Sequence, residues 1–215
     1  MRRILAAAFA ILAPSGPALA EAVPYDGAWA EQPMRLFSSN EFEVEGDGTL
    51  SVVSDATISI YWTRLAEGFA DATTAGWSWA VTESVPPTDL AERGADDRNL
   101  SVYFLWVPEG RAGDYAEASI RDLTTDEDVR ILQYVWGGLD GAERIVANPY
   151  FDGRGWTVQL QPAGTGMAEE SVDLASDFRA ASGEAPGALI GMAISADADT
   201  TGTRSAGTIS PVDLM

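Results

Sequence analysis

The chain has 215 residues, with 33 Asp and Glu against 13 basic residues, all of them arginine, and it contains no histidine, cysteine or lysine. These absences exclude Ser-His-Asp triads, HExxH zinc sites, thiol nucleophiles, disulfides and Schiff-base lysines. The net charge of −20 repels phosphate backbones and anionic lipid surfaces, so we expect no nucleic-acid partner. Carboxylates, hydroxyls, amides, arginine and aromatic rings remain for chemistry.

Residues 1–20 have the pattern of a signal peptide. Two arginines precede an apolar run from Ile4 to Ala13, which is too short to span a bilayer. Ala18-Leu19-Ala20 fits the small-x-small rule, so we expect cleavage after Ala20. The mature chain is then expected in the periplasm or outside the cell, without stable membrane insertion.

After a lead-in over residues 21–40, which is rich in Pro and Ala and is expected to pack loosely, residues 41–215 are expected to form a single domain. Short alternating stretches separated by Gly, Pro and Asp are typical of an antiparallel β-sandwich. We therefore predict a mainly β fold, an antiparallel β-sandwich of jelly-roll type, with one or two short helices. The predicted strands are 57–62, 77–82, 100–107, 131–136, 155–161 and 188–195.

Two of these strands, 100–107 and 131–136, are apolar on both faces and are predicted to be central and covered on both sides. The predicted helices span 114–123 and 171–181, and Gly183 is the expected C-cap of the second one. The sequence thus places nearly all of its regular structure in strands.

Four blocks of residues stand in order along the chain. They are Trp77-Ser78-Trp79 followed by Asp96-Asp97 and Val102-Tyr103; Gln133 to Gly137; Asn148-Pro149-Tyr150; and Asp177-Phe178-Arg179 followed by Asp197 to Gly202. With these blocks the chain resembles an uncharacterised bacterial family, domain of unknown function 3047, over nearly its whole mature length. The resemblance implies a β-sandwich like those of carbohydrate-binding modules and implies no known activity. The chain departs from the family at Ala80 and Ser101, where a basic residue is usual.

The adjacent carboxylates Asp96 and Asp97 precede a buried strand. In extended backbone their side chains point to opposite faces, so an acid–base pair needs a distant partner such as Asp177 or Asp199. Such a pair stands about 5 Å apart in a retaining glycosidase and about 6.5–9.5 Å apart in an inverting one. The alternative interpretation is a loop pair that caps backbone amides or pairs with Arg93 or Arg98.

The segment Asp197-x-Asp199-x-Thr201-Gly202 places oxygen ligands at alternate positions before a glycine. This spacing matches the first half of a calcium loop, and it predicts a Ca²⁺ site formed by Asp197, Asp199 and Thr201. The twelfth position is Thr208, so the bidentate Glu of an EF-hand is missing. An Asx turn that ends the preceding strand explains the same residues.

Aromatic residues lie in or beside the four blocks, and aromatic rings stack on the apolar faces of sugars. Trp77 and Trp79 share one strand face and are predicted to pack in the core. The residues predicted to bind a ligand are Asp96, Asp97, Tyr103, Tyr134, Trp136, Asn148 and Tyr150.

These observations favour an exported, non-catalytic binding protein for a saccharide or a similar neutral polar ligand, and no catalytic residue is assigned. One alternative is a carboxylate-dependent hydrolase or lyase acting on polysaccharide, which requires two acidic side chains in one aromatic-lined groove. Another is a structural or assembly protein of the cell envelope, which requires a contiguous exposed apolar patch. Its protein partners cannot be named from the sequence.

Overall fold

A computed structural model describes residues 20–215, so the predicted signal peptide lies outside the described residues apart from Ala20. The described chain forms two seven-stranded sheets with two short α-helices between strands. No helix in this range is long and apolar enough to cross a bilayer. The mainly β sandwich expected from the sequence is confirmed. The strands are β1 (Glu21–Val23), β2 (Ala30–Pro33), β3 (Glu41–Val44), β4 (Leu50–Asp55), β5 (Ile58–Arg64), β6 (Thr74–Glu83), β7 (Arg98–Val107), β8 (Arg130–Gly137), β9 (Ile145–Ala147), β10 (Gly155–Gln161), β11 (Gly166–Asp173), β12 (Ala188–Asp197), β13 (Arg204–Ile209) and β14 (Val212–Leu214).

The first sheet is built around β6, which pairs with β11, β13 and β14. Strand β13 continues to β4 and β3, and β14 continues to β1. The second sheet has the order β2-β5-β12-β7-β8-β10-β9. Its strands are antiparallel except for β8 and β10, which pair in parallel. The predicted antiparallel sandwich therefore contains one parallel pair, in the second sheet.

The two helices are short and capped by side chains. Helix α1 (Ile120–Thr125) begins with a capping box in which Ser119 and Asp122 satisfy each other's backbone N–H groups. Helix α2 (Leu174–Ser182) ends at Gly183, whose φ of 78° is the left-handed conformation that glycine adopts without strain. The predicted C-cap is confirmed.

Both helices are shorter than the sequence predicts. The first six residues of the predicted helix 114–123 instead belong to a 3₁₀ turn, Ala112–Tyr115, and to a linking segment before α1. The predicted helix 171–181 starts only at Leu174, because residues 171–173 complete the pairing of β11 with β6. Backbone hydrogen bonds to a neighbouring strand outweigh local helical periodicity there.

The main core lies between the two sheets. Strand β7 contributes Val102, Phe104 and Trp106 to this core, and these side chains are almost completely buried. The alternate residues Leu105 and Val107 face outward, where α1 and the segment before it cover them. Strand β7 is therefore covered on both sides, as predicted, and Trp77 and Trp79 of β6 pack in the main core, also as predicted.

The lead-in is attached to both sheets. Strand β1 pairs with β14 and β2 pairs with β5. Tyr25 and Trp29 are buried and pack against each other with ring centroids 5.0 Å apart. Most other residues of 21–40 are exposed, so the segment is held by two short edge strands and a few buried side chains.

Replacing Gly207 by alanine is expected to destabilise the sandwich by about 1–3 kcal/mol, because it overpacks a close approach of strands. A Cβ atom there would lie 2.5 Å from the backbone oxygen of Ala80 and 3.0 Å from a methyl carbon of Leu100. Urea unfolding measures the change. The control is Gly27→Ala, whose added carbon meets no described atom within 4 Å; equal stability of the two variants would contradict the prediction.

Candidate functional site

A pocket of about 230 Å³ opens on the outer face of the second sheet, away from the main core. It lies where β2, β5, β7 and β12 come together with the segment after β9. Its apolar lining consists of Met34, Ile58, Ile60, Tyr103, Tyr150 and Phe151. Its polar lining consists of Arg35, Arg98, Thr124, Asn148, Asp197 and Asp199.

Strand alternation decides which side chains reach this pocket. In β7 the even-numbered residues from Leu100 onward face the main core, and Ser101 and Tyr103 face outward. The pairing of β7 with β8 shifts between Arg98 and Leu100. This bulge turns Arg98 to the same outer face as Ser101 and Tyr103.

Arg98 is buried beneath the pocket and uses every branch of its guanidinium. Nη1 donates to Asp96 Oδ2 at 3.0 Å and to Asp197 Oδ2 at 3.1 Å. Nε donates to Ser101 Oγ at 3.0 Å, and Nη2 donates to the hydroxyl of Tyr103 at 2.9 Å. Burial on its own lowers the pKa of Arg98. The phenol of Tyr103 and the two carboxylates raise it by a larger amount, so the net pKa lies above the usual value and the guanidinium stays charged.

The hydrogen bonds continue from Ser101 around the pocket and return to Asp96. Gln133 donates to Ser101 Oγ at 2.9 Å, and Asn148 donates to Gln133 Oε1 at 3.0 Å. The backbone N–H of Tyr150 donates to Asn148 Oδ1, and the Tyr150 hydroxyl donates to Asp96 Oδ1 at 2.9 Å. With the guanidinium these residues form a closed polar ring. Such a ring holds its side chains in place before any ligand arrives.

Asp97 points away from the polar ring, as extended backbone requires. Its Oδ2 accepts hydrogen bonds from the backbone N–H and the hydroxyl of Thr201, at 2.7 and 2.6 Å. Its Oδ1 accepts one from the backbone N–H of Thr200 at 3.3 Å. Asp97 therefore fixes the loop that follows β12, whereas Asp96 binds an arginine. This division matches the alternative interpretation of the Asp pair given above.

Three carboxylates meet at the end of β12. Single oxygens of Asp97, Asp197 and Asp199 lie within 4.8 Å of one another. Burial raises the pKa of Asp197 to about 7, with further contributions from Asp199, Asp97 and Asp96, and the guanidinium of Arg98 offsets only part of this. Asp197 is thus a carboxyl group that changes charge near neutral pH.

The predicted calcium ligands are only partly brought together. Asp197 and Asp199 are close, but the hydroxyl of Thr201 is bonded to Asp97. Calcium takes six to eight oxygen ligands. Here Arg98 and the amides of the loop already bind oxygens of Asp197 and Asp97. The residues present fit a calcium ion poorly, and the turn interpretation of this segment agrees better with the contacts.

The Asp197→Asn variant is expected to become more stable than the unchanged chain as pH rises. The unfolded carboxyl ionises near pH 4, whereas the folded one holds its proton up to about pH 7. Ionisation therefore costs the folded state up to about 4 kcal/mol, and this cost sets in between those two pH values. Neutral asparagine carries no such cost.

The measurement is the difference in free energy of unfolding between the two proteins from pH 4 to pH 8, which removes the effect of all other carboxylates. The groups facing Asp197 are Arg98, Asp96, Asp97 and Asp199, and they are common to both proteins. A difference that does not change with pH would show that the Asp197 pKa is not raised.

Of the predicted ligand-binding residues, four are at the pocket or in its polar ring: Asp96, Tyr103, Asn148 and Tyr150. Asp97 does not line the pocket but binds the loop that carries Asp199. Tyr134 and Trp136 are not there. Both lie between the sheets, because they alternate with residues of the outer face and share the inner face with Leu132. Their assignment to the ligand site is corrected.

Sequence reasoning missed Arg35, Ser101 and Gln133, and it named Arg98 only as an alternative partner of the Asp pair. The only signal for Arg98 is its place directly after the Asp pair. Ser101 and Gln133 are polar residues on otherwise apolar strands, and that pattern could have marked them. Asp177, the other carboxylate considered for catalysis, lies elsewhere and binds Arg144 through two bonds of 2.7 and 2.9 Å.

Comparisons with known proteins add the following. A family model described as protein of unknown function (DUF3047) matches residues 28–212. A comparison with curated protein sequences finds no match. Among solved structures, the fold is similar to the xyloglucanase domain of NopAA, a type three effector from Sinorhizobium fredii, in complex with cellobiose. The TM-score is 0.45, the sequence identity is 7%, and the match covers 87% of this chain and 92% of that chain. A likeness of this size carries no argument about activity.

Proposed function

The chain belongs to the DUF3047 family of proteins of unknown function, and within it we propose an exported, non-catalytic protein that binds a saccharide or a similar small polar ligand. The observation that carries this proposal is the pocket on the outer face of the second sheet. It combines an apolar and aromatic lining with a closed ring of satisfied polar side chains. Sites for small ligands have this composition, with few polar groups placed among apolar ones.

The size and charge of the pocket limit the ligand. A volume of about 230 Å³ is below the usual range of about 300–1,000 Å³ for ligand pockets, which suits one sugar ring better than an oligosaccharide. The net charge of −20 and the four aspartates nearby disfavour phosphates and sugar acids. A ring with an apolar face and several hydroxyls matches both parts of the lining.

Export is part of the proposal. It is supported by the basic start, the short apolar run and the small-x-small site before Glu21. A binding site of this kind would then meet sugars in the periplasm or outside the cell. Secretion of the chain, with an N-terminus at Glu21 determined by mass spectrometry, tests this part.

The test of binding is calorimetric titration of residues 21–215 with a panel of neutral monosaccharides and their methyl glycosides. Tyr150 presents an exposed ring at the pocket, so Tyr150→Ala is expected to weaken any binding about tenfold or more, as removal of a stacking aromatic does. The control is Met167→Ala, which removes an exposed side chain on β11 of the other sheet. Absence of heat with every sugar, or equal loss in both variants, would contradict the proposal.

One observation favours a second function, acid–base hydrolysis of a glycoside. Oxygens of Asp197 and Asp199 lie within 4.8 Å of each other, near the separation of about 5–5.5 Å in retaining enzymes. A carboxyl whose pKa is about 7 suits a general acid. Turnover of nitrophenyl glycosides that is lost in Asp197→Asn, while binding persists, would establish this function in place of the first.

The exposed apolar residues do not require an assembly role. In the described part of the chain, Met34, Leu36 and Phe37 form one exposed run, and the other large exposed apolar side chains are separated from it along the sequence. This run follows β2 directly and includes a residue that lines the pocket. We therefore treat it as the rim of the ligand site.

A further inference from the structure

We propose that the ligand carries a positively charged amino group, as an amino sugar does, and that this group binds Asp199 by displacing Arg35. The inference rests on the proposed function and changes its ligand from a neutral to a cationic one. It is carried by the state of the Asp199 carboxylate, by the position of Arg35 and by the charges around the pocket.

Asp199 holds a carboxylate oxygen that lacks a hydrogen-bond donor. Its side chain is only 7% exposed, and Oδ2 is fully buried with no hydrogen-bond partner among the described residues. Oδ1 accepts a hydrogen bond from the hydroxyl of Thr200. A buried charged oxygen without a donor is costly, and Asp199 lines the pocket. A donor that enters the pocket would satisfy it.

Arg35 is the cation nearest to that oxygen. Its Nη1 lies 2.8 Å from Asp199 Oδ2 without hydrogen-bond geometry, and its side chain is 60% exposed. Arg35 follows β2 in a surface loop whose Leu36 and Phe37 are almost fully exposed, so its guanidinium can move into water. The buried Asp199 carboxylate then needs another cation in its place, because a buried charge without a partner is costly.

The charges around the pocket favour a cation. Asp96, Asp97, Asp197 and Asp199 are balanced by Arg98 and Arg35. When Arg35 moves aside, the carboxylate of Asp199 is left without a cation, and the guanidinium of Arg98 is already fully bonded within the polar ring. An ammonium group has three N–H donors and no acceptor, which matches the Asp199 oxygen that lacks a hydrogen-bond donor.

A metal ion matches the same site less well. Calcium needs six or more oxygens. Asp97 is bonded to the loop amides and Asp197 to Arg98, so among the three clustered carboxylates only Asp199 offers an oxygen without a hydrogen-bond donor. An ammonium group needs only that oxygen and one or two neighbours. The donor set therefore selects an organic cation over a metal.

Calorimetry with glucosamine, glucose and N-acetylglucosamine as probes tests the proposal, because the three share a ring and differ at one substituent. Glucosamine is expected to bind about tenfold or more tightly than the two neutral sugars, the effect of one hydrogen bond to a charged group. Asp199→Asn is expected to remove this preference, so that glucosamine then binds no more tightly than the two neutral sugars. Arg35→Ala is expected to strengthen glucosamine binding, because it removes the competing cation.

The control is Asp213→Asn, which removes an equal charge from an exposed position on β14. Equal affinity for glucose and glucosamine, unchanged by Asp199→Asn, overturns the cationic ligand and leaves the binding function standing. Binding of none of the three probes counts against both. A rise in melting temperature with calcium that Asp199→Asn abolishes, without any preference for glucosamine, overturns the inference in favour of a metal site.

Discussion

Replacing Arg98 by methionine is expected to lower the free energy of unfolding by about 3–5 kcal/mol, the cost of breaking a buried ion pair by removing one partner. Among the residues that the structure describes, the guanidinium is the only group that binds Asp96 and Asp197 together, and it also binds Tyr103. Methionine fills a similar volume but leaves two buried carboxyl groups without their cation. Urea unfolding at neutral pH measures the loss.

The loss should shrink at low pH. Burial keeps Asp197 protonated below about pH 7, and a neutral carboxyl group loses less when the cation is missing, so the Arg98→Met variant is expected to recover part of its stability near pH 4. The control is Arg204→Met, which breaks an exposed ion pair with Glu83 and should change stability by less than about 1 kcal/mol. Equal effects of the two substitutions would show that the polar ring does not depend on Arg98.

The second large effect is expected from Asp97→Ala, which should destabilise the chain by roughly 3 kcal/mol. Its carboxylate accepts three hydrogen bonds from Thr200 and Thr201, and hydrogen bonds to a charged group are worth about 1.5–3 kcal/mol each, although they do not add fully. Because these bonds fix the loop that carries Asp199, ligand binding should weaken as well. Unfolding and calorimetry on the same preparation measure both effects.

Asp47→Ala serves as the matched control. Asp47 also accepts a hydrogen bond from a backbone N–H two residues ahead, that of Thr49, but in a fully exposed turn. Its removal should change stability much less and leave binding intact. If Asp97→Ala keeps full affinity despite its lower stability, the loop after β12 does not position the ligand site.

Strands β5, β6 and β10 were predictable from the alternation of their side chains, and β7, β8 and β12 from continuous apolar runs; the other eight strands of the described residues were not predicted. Strands β6, β7, β8, β10 and β12 all lie within a few residues of their predicted bounds. Which face of each strand points into the main core was not predictable. Strands β7 and β8 are apolar on both sides, so nothing local shows that Tyr103 faces outward whereas Tyr134 and Trp136 face the other sheet. That choice depends on which side the first sheet covers.

The candidate site was predictable where its residues stand together in sequence and unpredictable where they meet through the fold. Asp96 and Tyr150 belong to blocks that the sequence shows directly. Arg98 reaches the pocket only because a bulge reverses its side chain. Arg35 meets Asp199 from a segment without periodicity, and no spacing in the sequence relates the two residues.

The central claim is that the pocket beside Arg98 and Asp199 binds a small ligand. An NMR titration of backbone amides with glucosamine tests it most directly. The account predicts shift changes concentrated at residues 34–35, 58–60, 148–151 and 197–201, and their loss in Asp199→Asn. Shift changes concentrated instead around Met167 and Thr208, which line a separate depression on the outer face of the first sheet, would contradict it.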